Sequence, residues 1–177
     1  KLWELQPDVE MVDAVQAAEN TVRIIELSNT KKEIPVVVGA KSAPFENRNL
    51  GERVPVAWIH GENGVGERTA GEGEFLLQTD IKAEDFLYEM LQKYPQELTL
   101  VTLGRLTNIA MMVQKYPEST KLVKNLVMMG GTVNAPGNVS PVAEANIAGD
   151  PEAAIKYFLQ EWTFTVVGLD VTFEDKV

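Results

Sequence analysis

Residues 98–131 read LTLVTLGRLTNIAMMVQKYPESTKLVKNLVMMGG, and they contain a strand, a helix and a second strand in that order. The segment 98–103, rich in Leu, Val and Thr, is followed by a glycine, which is the pattern of a strand. Residues 106–116 follow as an apolar helix, which Pro117 stops because proline has no N–H to donate. Residues 126–129 repeat the strand pattern. A strand, helix and strand in this order predict a right-handed βαβ unit with parallel strands.

The same alternation extends in both directions from this unit. Further strands are predicted at 34–38, 56–59 and 164–169, and further helices at 8–28, 84–94 and 150–161. The glycine-rich region 40–80 is interpreted as a long loop around strand 56–59, and residues 132–149 as another loop. The predicted fold class is therefore α/β: a doubly wound, mostly parallel sheet with helices on both faces and with all these strands in one sheet.

The composition is that of an ordinary globular chain, and it argues against several functions. Of 177 residues, 45% are hydrophobic and 24% are charged, so we predict a single domain spanning 1–177. The net charge of −10 argues against nucleic-acid binding, because an acidic surface repels phosphates. No apolar run reaches the roughly 20 residues of a membrane span. The chain has no cysteine, which excludes disulfides. It starts without a signal-peptide pattern, so a cytoplasmic location is expected, and a mature secreted chain is the alternative.

His60 is the single histidine of the chain, and it directly follows a predicted strand. In open α/β sheets ligands bind beyond the carboxyl ends of the strands, which makes His60 a candidate site residue. A lone histidine is as often structural, and both interpretations stay open. The glycines of 60–66 resemble a phosphate-binding loop, but no Gly-Lys-Ser/Thr follows them, so a P-loop is not indicated.

The segment 137–146, GNVSPVAEAN, is the richest in polar groups at a strand end. Asn138, Glu144 and Asn146 can hydrogen-bond several hydroxyls at once, and such a cluster suits a sugar. The alternative is a polar loop that caps the following helix. Asp170 also ends a predicted strand, where an aspartate can bind a metal, orient a neighbour or cap a turn.

Four segments carry a resemblance to a known family. They are 59–64 (IHGENG), 103–110 (LGRLTNIA), 128–154 (with MMGG, PGNV, AEAN and DPEAA) and 167–172 (VGLDVT). In this order and spacing they resemble the inosine-uridine preferring nucleoside hydrolase family, over nearly the whole chain. The resemblance implies a doubly wound α/β fold and cleavage of the N-glycosidic bond of ribonucleosides to free base and ribose.

The resemblance also implies roles for individual residues. Such enzymes use a Ca²⁺-bound water as the nucleophile. Carried over by position, the expected substrate-binding residues are His60 on the nucleobase side, Met129 beside the sugar, and Asn138, Glu144 and Asn146 on the ribose hydroxyls. The backbone carbonyl of Leu103 is expected to be a calcium ligand. Oxygen ligands agree with the preference of a hard cation.

The chain departs from the family pattern in several places. The family's Asp-x-Asp-x-x-x-Asp-Asp motif, which supplies most calcium ligands and the general base, does not occur, and neither does its later His-Asp pair. We therefore expect the chain to be the central portion of such an enzyme, incomplete at both ends. No catalytic residue is assigned within it, and it is expected to be inactive alone and to hold no calcium by itself. Ala145, Phe173 and Arg105 replace residues common in the family, which leaves the base preference open.

Two further expectations concern function class and partners. The alternative to an enzyme is a non-catalytic module that binds a nucleoside or another protein on a hydrolase-like fold. With the family's first strand absent, we expect an inner edge of the sheet to be open. An open edge favours a homo-oligomer or a complementing fragment, in addition to the ribonucleoside substrate.

Overall fold

The computed structural model describes residues 2–4, 14–30, 32–42, 61, 63–66 and 77–173. In chain order the elements are β1 (Leu2–Glu4), α1 (Ala14–Leu27), β2 (Val36–Val37), β3 (Leu77–Gln78), α2 (Ala83–Lys93), β4 (Thr99–Thr102), α3 (Thr107–Lys115), a 3₁₀ helix (Pro117–Leu122), β5 (Asn125–Met129), α4 (Ala145–Gly149), α5 (Pro151–Phe158), β6 (Phe164–Val167) and α6 (Leu169–Thr172).

The main sheet has four strands in the order β1-β4-β5-β6, and every neighbouring pair is parallel. The centre is the predicted βαβ unit, in which Leu100 lies opposite Leu126 and Thr102 opposite Met128. Helix α3 connects the two strands and begins and ends within one residue of the predicted bounds. The predicted α/β class, a parallel sheet flanked by helices, is confirmed.

The prediction of a single sheet is wrong for the segment 34–38. Strand β2 pairs with β3 in a separate two-stranded sheet, and β3 lies in a region interpreted as loop. Val36 packs with side chains of α1, whereas Val37 packs against α2. The apolar run indicated burial correctly, but it could not indicate which strand would lie beside it. The predicted strand 56–59 and His60 lie outside the described residues.

The expectation of an open inner edge also needs correction. Leu2–Glu4 forms β1 and pairs in parallel with Thr99–Val101, so this edge of β4 is covered. Backbone pairing requires only an extended segment within reach, and three residues without a clear strand pattern are enough here. At the other end of the sheet, β6 has a single partner among the described strands.

The core lies between the main sheet and helices α2, α3 and α5. Alternate strand residues point into it, so Leu100, Leu126 and Met128 are buried while Val101 and Val127 are only half-buried. The helices contribute further apolar side chains, which include Leu87, Leu91, Ile109, Met112, Ala153 and Tyr157. This core fixes β4 and β5 side by side, and it therefore fixes the carboxyl ends of both strands.

Two predicted element boundaries after β5 differ from those in the structure. Residues 145–149 form α4 rather than loop, and the last strand ends at Val167, so that 169–172 is helical. Strand β6 is unusually open for a parallel strand, with Phe164 36% and Val166 42% exposed. Among the described helices, none is long and apolar enough to cross a membrane.

Candidate functional site

Asn146 joins the carboxyl ends of β4 and β5. It lies in the first turn of α4, is 6% exposed, and donates from Nδ2 to the carbonyl oxygens of Leu103 (3.2 Å) and Met129 (3.1 Å). The Met129 sulfur lies 3.3 Å from the same nitrogen. Three of the predicted site residues are thus brought into direct contact. Because Nδ2 serves the two carbonyls, the Oδ1 atom is the part of Asn146 suited to a hydroxyl donor.

Glu144 is the N-cap of α4 and is almost fully buried, at 2% exposed. Its Oε1 accepts from the Asn146 N–H (2.9 Å), and its Oε2 accepts from those of Ile147 (3.2 Å) and Gly131 (2.8 Å). The alternative interpretation of this segment, a polar loop that caps a helix, therefore describes what Glu144 does in the structure. A carboxylate accepts about four hydrogen bonds, so capacity for one more acceptor contact remains.

Asn138 lies in the tight segment that leads into α4. Its Oδ1 accepts from the Ala145 N–H at 2.9 Å, and its own N–H donates to the Ala143 carbonyl at 3.0 Å. A Cβ on Gly137 would lie 2.3 Å from the backbone oxygens of Ala143 and Ser140, so this turn has room only for glycine. The side chain of Asn138 is thereby held at Ala145, which lies between Glu144 and Asn146 in the chain.

Asp170, in the first turn of α6, accepts from three consecutive backbone amides. Its Oδ2 lies 2.8 Å from Val133 N, and its Oδ1 lies 2.7 Å from Asn134 N and 3.0 Å from Ala135 N. The hydrogen bonds from Val133 and Asn134 are the main reason why the pKa of this carboxyl lies below its ordinary value. Of the roles considered from the sequence, orienting a neighbouring segment is the one that the geometry displays.

Helix α3 connects this edge to the second sheet and to α5. The Oδ1 of buried Asn108 accepts from the Ala40 N–H, just beyond β2, at 2.9 Å. Thr107 donates its hydroxyl to Asp150 at 2.6 Å, and Asp150 caps α5 by accepting from Ala153 N at 2.9 Å. The carboxyl ends of β2, β4, β5 and β6 therefore meet in one region. Asn108 was not singled out from the sequence, because a contact 68 residues away leaves no local signal.

The described residues do not fit a calcium site by themselves. They include no group of three or more His, Cys, Asp or Glu side chains that could hold a metal ion. The Leu103 carbonyl, the predicted ligand, accepts from Asn146, while Glu144 and Asp170 each accept from three backbone N–H groups. Calcium takes six to eight oxygen ligands. One backbone carbonyl does not supply that set.

A parallel α/β sheet with polar side chains gathered at the carboxyl edge of its strands is the arrangement of an α/β ligand-binding fold. Comparison with known proteins identifies the family within this class of α/β folds. The family model described as inosine-uridine preferring nucleoside hydrolase matches residues 11–177, and the chain belongs to this family.

Individual relatives agree with the family assignment. Uridine nucleosidase 1 of Arabidopsis thaliana is 34% identical over 166 residues, which cover 94% of this chain and 48% of that protein. The inosine-uridine preferring nucleoside hydrolase of Leishmania major is 34% identical over 173 residues, which cover 95% of this chain and 54% of that protein. This chain thus spans about half the length of these relatives.

Solved structures give the same result for the fold. The purine-preferring ribonucleoside hydrolase from Gardnerella vaginalis superposes with a TM-score of 0.83 at 28% identity, covering 96% of this chain and 60% of that one. A plant nucleoside hydrolase gives a TM-score of 0.81 at 27% identity, covering 97% and 60%.

Proposed function

We propose that the natural protein containing this chain hydrolyses the N-glycosidic bond of ribonucleosides, releasing a free base and ribose, and that this chain supplies the ribose-binding half of the site. The observation that carries the proposal is the contact of Asn146 with Leu103 and Met129. This contact places three residues of the family pattern at the carboxyl ends of two adjacent parallel strands, where α/β folds bind ligands.

The sugar is the part of the substrate that these groups suit. A ribose hydroxyl both donates and accepts, so it needs acceptors such as Glu144 and the Asn146 Oδ1 next to a donor such as the Asn138 Nδ2. The existing hydrogen bonds fix these atoms before a ligand arrives. A prearranged site loses less conformational entropy when a ligand binds. Met129 lies against Asn146 and would pack beside the sugar ring.

Binding of the ribose orients the N-glycosidic bond for attack by water, and orientation alone lowers the barrier of a bimolecular step. In the natural protein a bound calcium ion would supply an activated water, and the Leu103 carbonyl would be one of its ligands. The described residues assign no general base, and His60 on the nucleobase side stays a prediction. The relatives' names include uridine, inosine-uridine and purine preferences, so no base is assigned.

The test is hydrolysis of inosine and of uridine by the natural protein, with free ribose and free base measured separately. We expect both products in equal amounts, and we expect removal of calcium with a chelator to abolish their release. The 177-residue chain alone is expected to bind nucleoside without turnover, because a positioned base and the remaining metal ligands are not assigned within it. Nucleoside binding without hydrolysis by the natural protein would instead favour the non-catalytic module.

A further inference from the structure

The loop 130–144 connects β5 to α4 and carries Asn138, and four of its backbone N–H groups donate to carboxylates. The N–H groups of Val133, Asn134 and Ala135 donate to Asp170, and that of Gly131 donates to Glu144. Hydrogen bonds from N–H groups to an ionised acceptor are among the stronger ones in proteins. Two carboxylates, from different elements, therefore hold the first part of this loop.

The backbone next to Asp170 follows the same loop closely. Gly130 N donates to Val167 O at 3.1 Å, and Leu169 N donates to Gly131 O at 2.9 Å. A Cβ on Gly168 would lie 3.0 Å from the Gly131 oxygen, so the absence of a side chain there permits this approach. The turn from β6 into α6 is thus shaped to bring the Asp170 carboxylate under the loop.

We propose that Asp170 is a positioning residue of the sugar site: it holds residues 133–135 so that Asn138, three residues further on, is presented beside Glu144 and Asn146. The connection to substrate rests on the proposed function, whereas the anchoring itself rests on the three hydrogen bonds. Asp170 lies 35 to 37 residues away from its partners along the sequence. Its effect on substrate acts through the loop and not by contact.

The chemistry of the anchor requires a carboxylate. An aspartate side chain only accepts, and both of its oxygens face donors here. In Asp170→Asn one of those oxygens becomes an NH₂ group, which would face a backbone N–H and repel it. Asp170→Glu keeps the charge and both acceptors on a side chain one methylene longer. Comparison of the two variants therefore tests whether the loop needs two acceptor oxygens at position 170 or only a polar side chain.

The experiment compares the natural protein with its Asp170→Asn and Asp170→Glu variants. Asp85→Asn is the matched control, since Asp85 on α2 bonds to the side chains of Lys115 and Tyr116 and not to the loop. Amide hydrogen exchange of Val133, Asn134 and Ala135 reports the anchor, and the KM and kcat for inosine report the site. Global stability is followed by thermal unfolding.

In Asp170→Asn we expect exchange at these three amides to accelerate at least about tenfold, and KM to rise about tenfold with a smaller change in kcat. Asp170→Glu should restore much of the slow amide exchange and much of the wild-type KM. Asp85→Asn should change neither the exchange nor the KM. A purely structural role would lower kcat through loss of folded protein and leave KM unaltered.

Unchanged exchange, or faster exchange with an unchanged KM, would overturn the positioning role in a protein that is otherwise active. A natural protein that hydrolyses no nucleoside would overturn the proposed function instead. In that case the dissociation constant for ribose replaces KM as the readout: weaker binding by Asp170→Asn supports the positioning role, and unchanged or undetectable binding overturns it.

Discussion

The side-chain amide of Asn146 donates to the backbone carbonyl of Leu103, 43 residues away in sequence, at 3.2 Å. The same nitrogen reaches Met129 O at 3.1 Å, so one amide joins the carboxyl ends of two neighbouring strands. A predicted sugar contact and a predicted calcium ligand are thus a single hydrogen-bonded unit. A change at Asn146 will be felt at Leu103, and the two positions are best studied together.

Asn146→Ala is expected to weaken ribose binding by about 1–3 kcal/mol, because hydroxyls and two backbone carbonyls lose a partner. The measurement is the dissociation constant for ribose by calorimetric titration. Asn125→Ala is the matched control, since Asn125 is an exposed asparagine at the opposite end of β5. Equal affinity in wild-type and Asn146→Ala proteins would remove Asn146 from the sugar site.

Gly137→Ala tests the tight turn before Asn138. The new methyl group would meet two backbone oxygens at 2.3 Å, so the turn must open and Asn138 must move away from Ala145. We expect nucleoside affinity to fall at least tenfold, about 1.4 kcal/mol or more, with the core unaffected. Val142→Ala, which trims a side chain 83% exposed in the same loop, should leave the affinity unchanged. Normal binding by Gly137→Ala would show that this turn does not set the site.

Protonation of Asp170 should release the loop at acid pH. The N–H groups of Val133 and Asn134 lower the folded-state pKa of this carboxyl. The hydrogen bonds of the ionised carboxylate therefore stabilise the loop fully above the unfolded-state pKa, and this stabilisation is lost as pH falls through the folded-state pKa. The amide proton shift of Asn134, followed by NMR during an acid titration, should therefore move with a midpoint below the ordinary aspartate value. The same titration of Asp170→Asn should show no such step. A midpoint at or above the ordinary value would contradict this account of the anchor.

Tyr157 offers a prediction about the core. It is fully buried, and its hydroxyl has no hydrogen-bond partner among the described residues. Burial also raises its pKa, because the ionised form loses its hydration. Tyr157→Phe removes an unsatisfied polar group, so we expect the free energy of unfolding to rise by about 1 kcal/mol in denaturant titrations.

The control for this change is Tyr116→Phe. The Tyr116 hydroxyl donates to Asp85 at 2.9 Å, so its removal breaks a hydrogen bond and should lower stability slightly. A clear loss of stability in Tyr157→Phe would mean that the Tyr157 hydroxyl has a hydrogen-bond partner in solution.

Local sequence signals predicted the elements around the site well. The helix predicted over 150–161 begins at Pro151 with Asp150 as its N-cap, because N-cap and proline preferences act within one turn. Strands β4 and β5 also agree, since both are short, mostly apolar or β-branched segments that a glycine follows within two residues. The family pattern then selected the loop residues that meet at this edge.

Local sequence signals could not predict the contacts between residues that are far apart in the sequence. Nothing near Asp170 indicates that its partners are backbone amides of 133–135, because backbone N–H groups leave no trace in the residue types that carry them. The pairing of β2 with β3 was missed for a related reason: two residues suffice to form a strand when both find a partner. The capping role of Glu144 agrees with the alternative interpretation of segment 137–146, a polar loop that caps the following helix.

The most direct test of the central claim, that ribose binds where β4 and β5 end, is to map ribose onto the ¹⁵N-labelled protein by NMR. We expect saturable shifts at the backbone amides of Gly131, Asn146 and Ile147 and at the side-chain amides of Asn138 and Asn146, with little change at the exposed side-chain amide of Asn125. Shifts confined to another surface, or no saturable shifts at millimolar ribose, would contradict it.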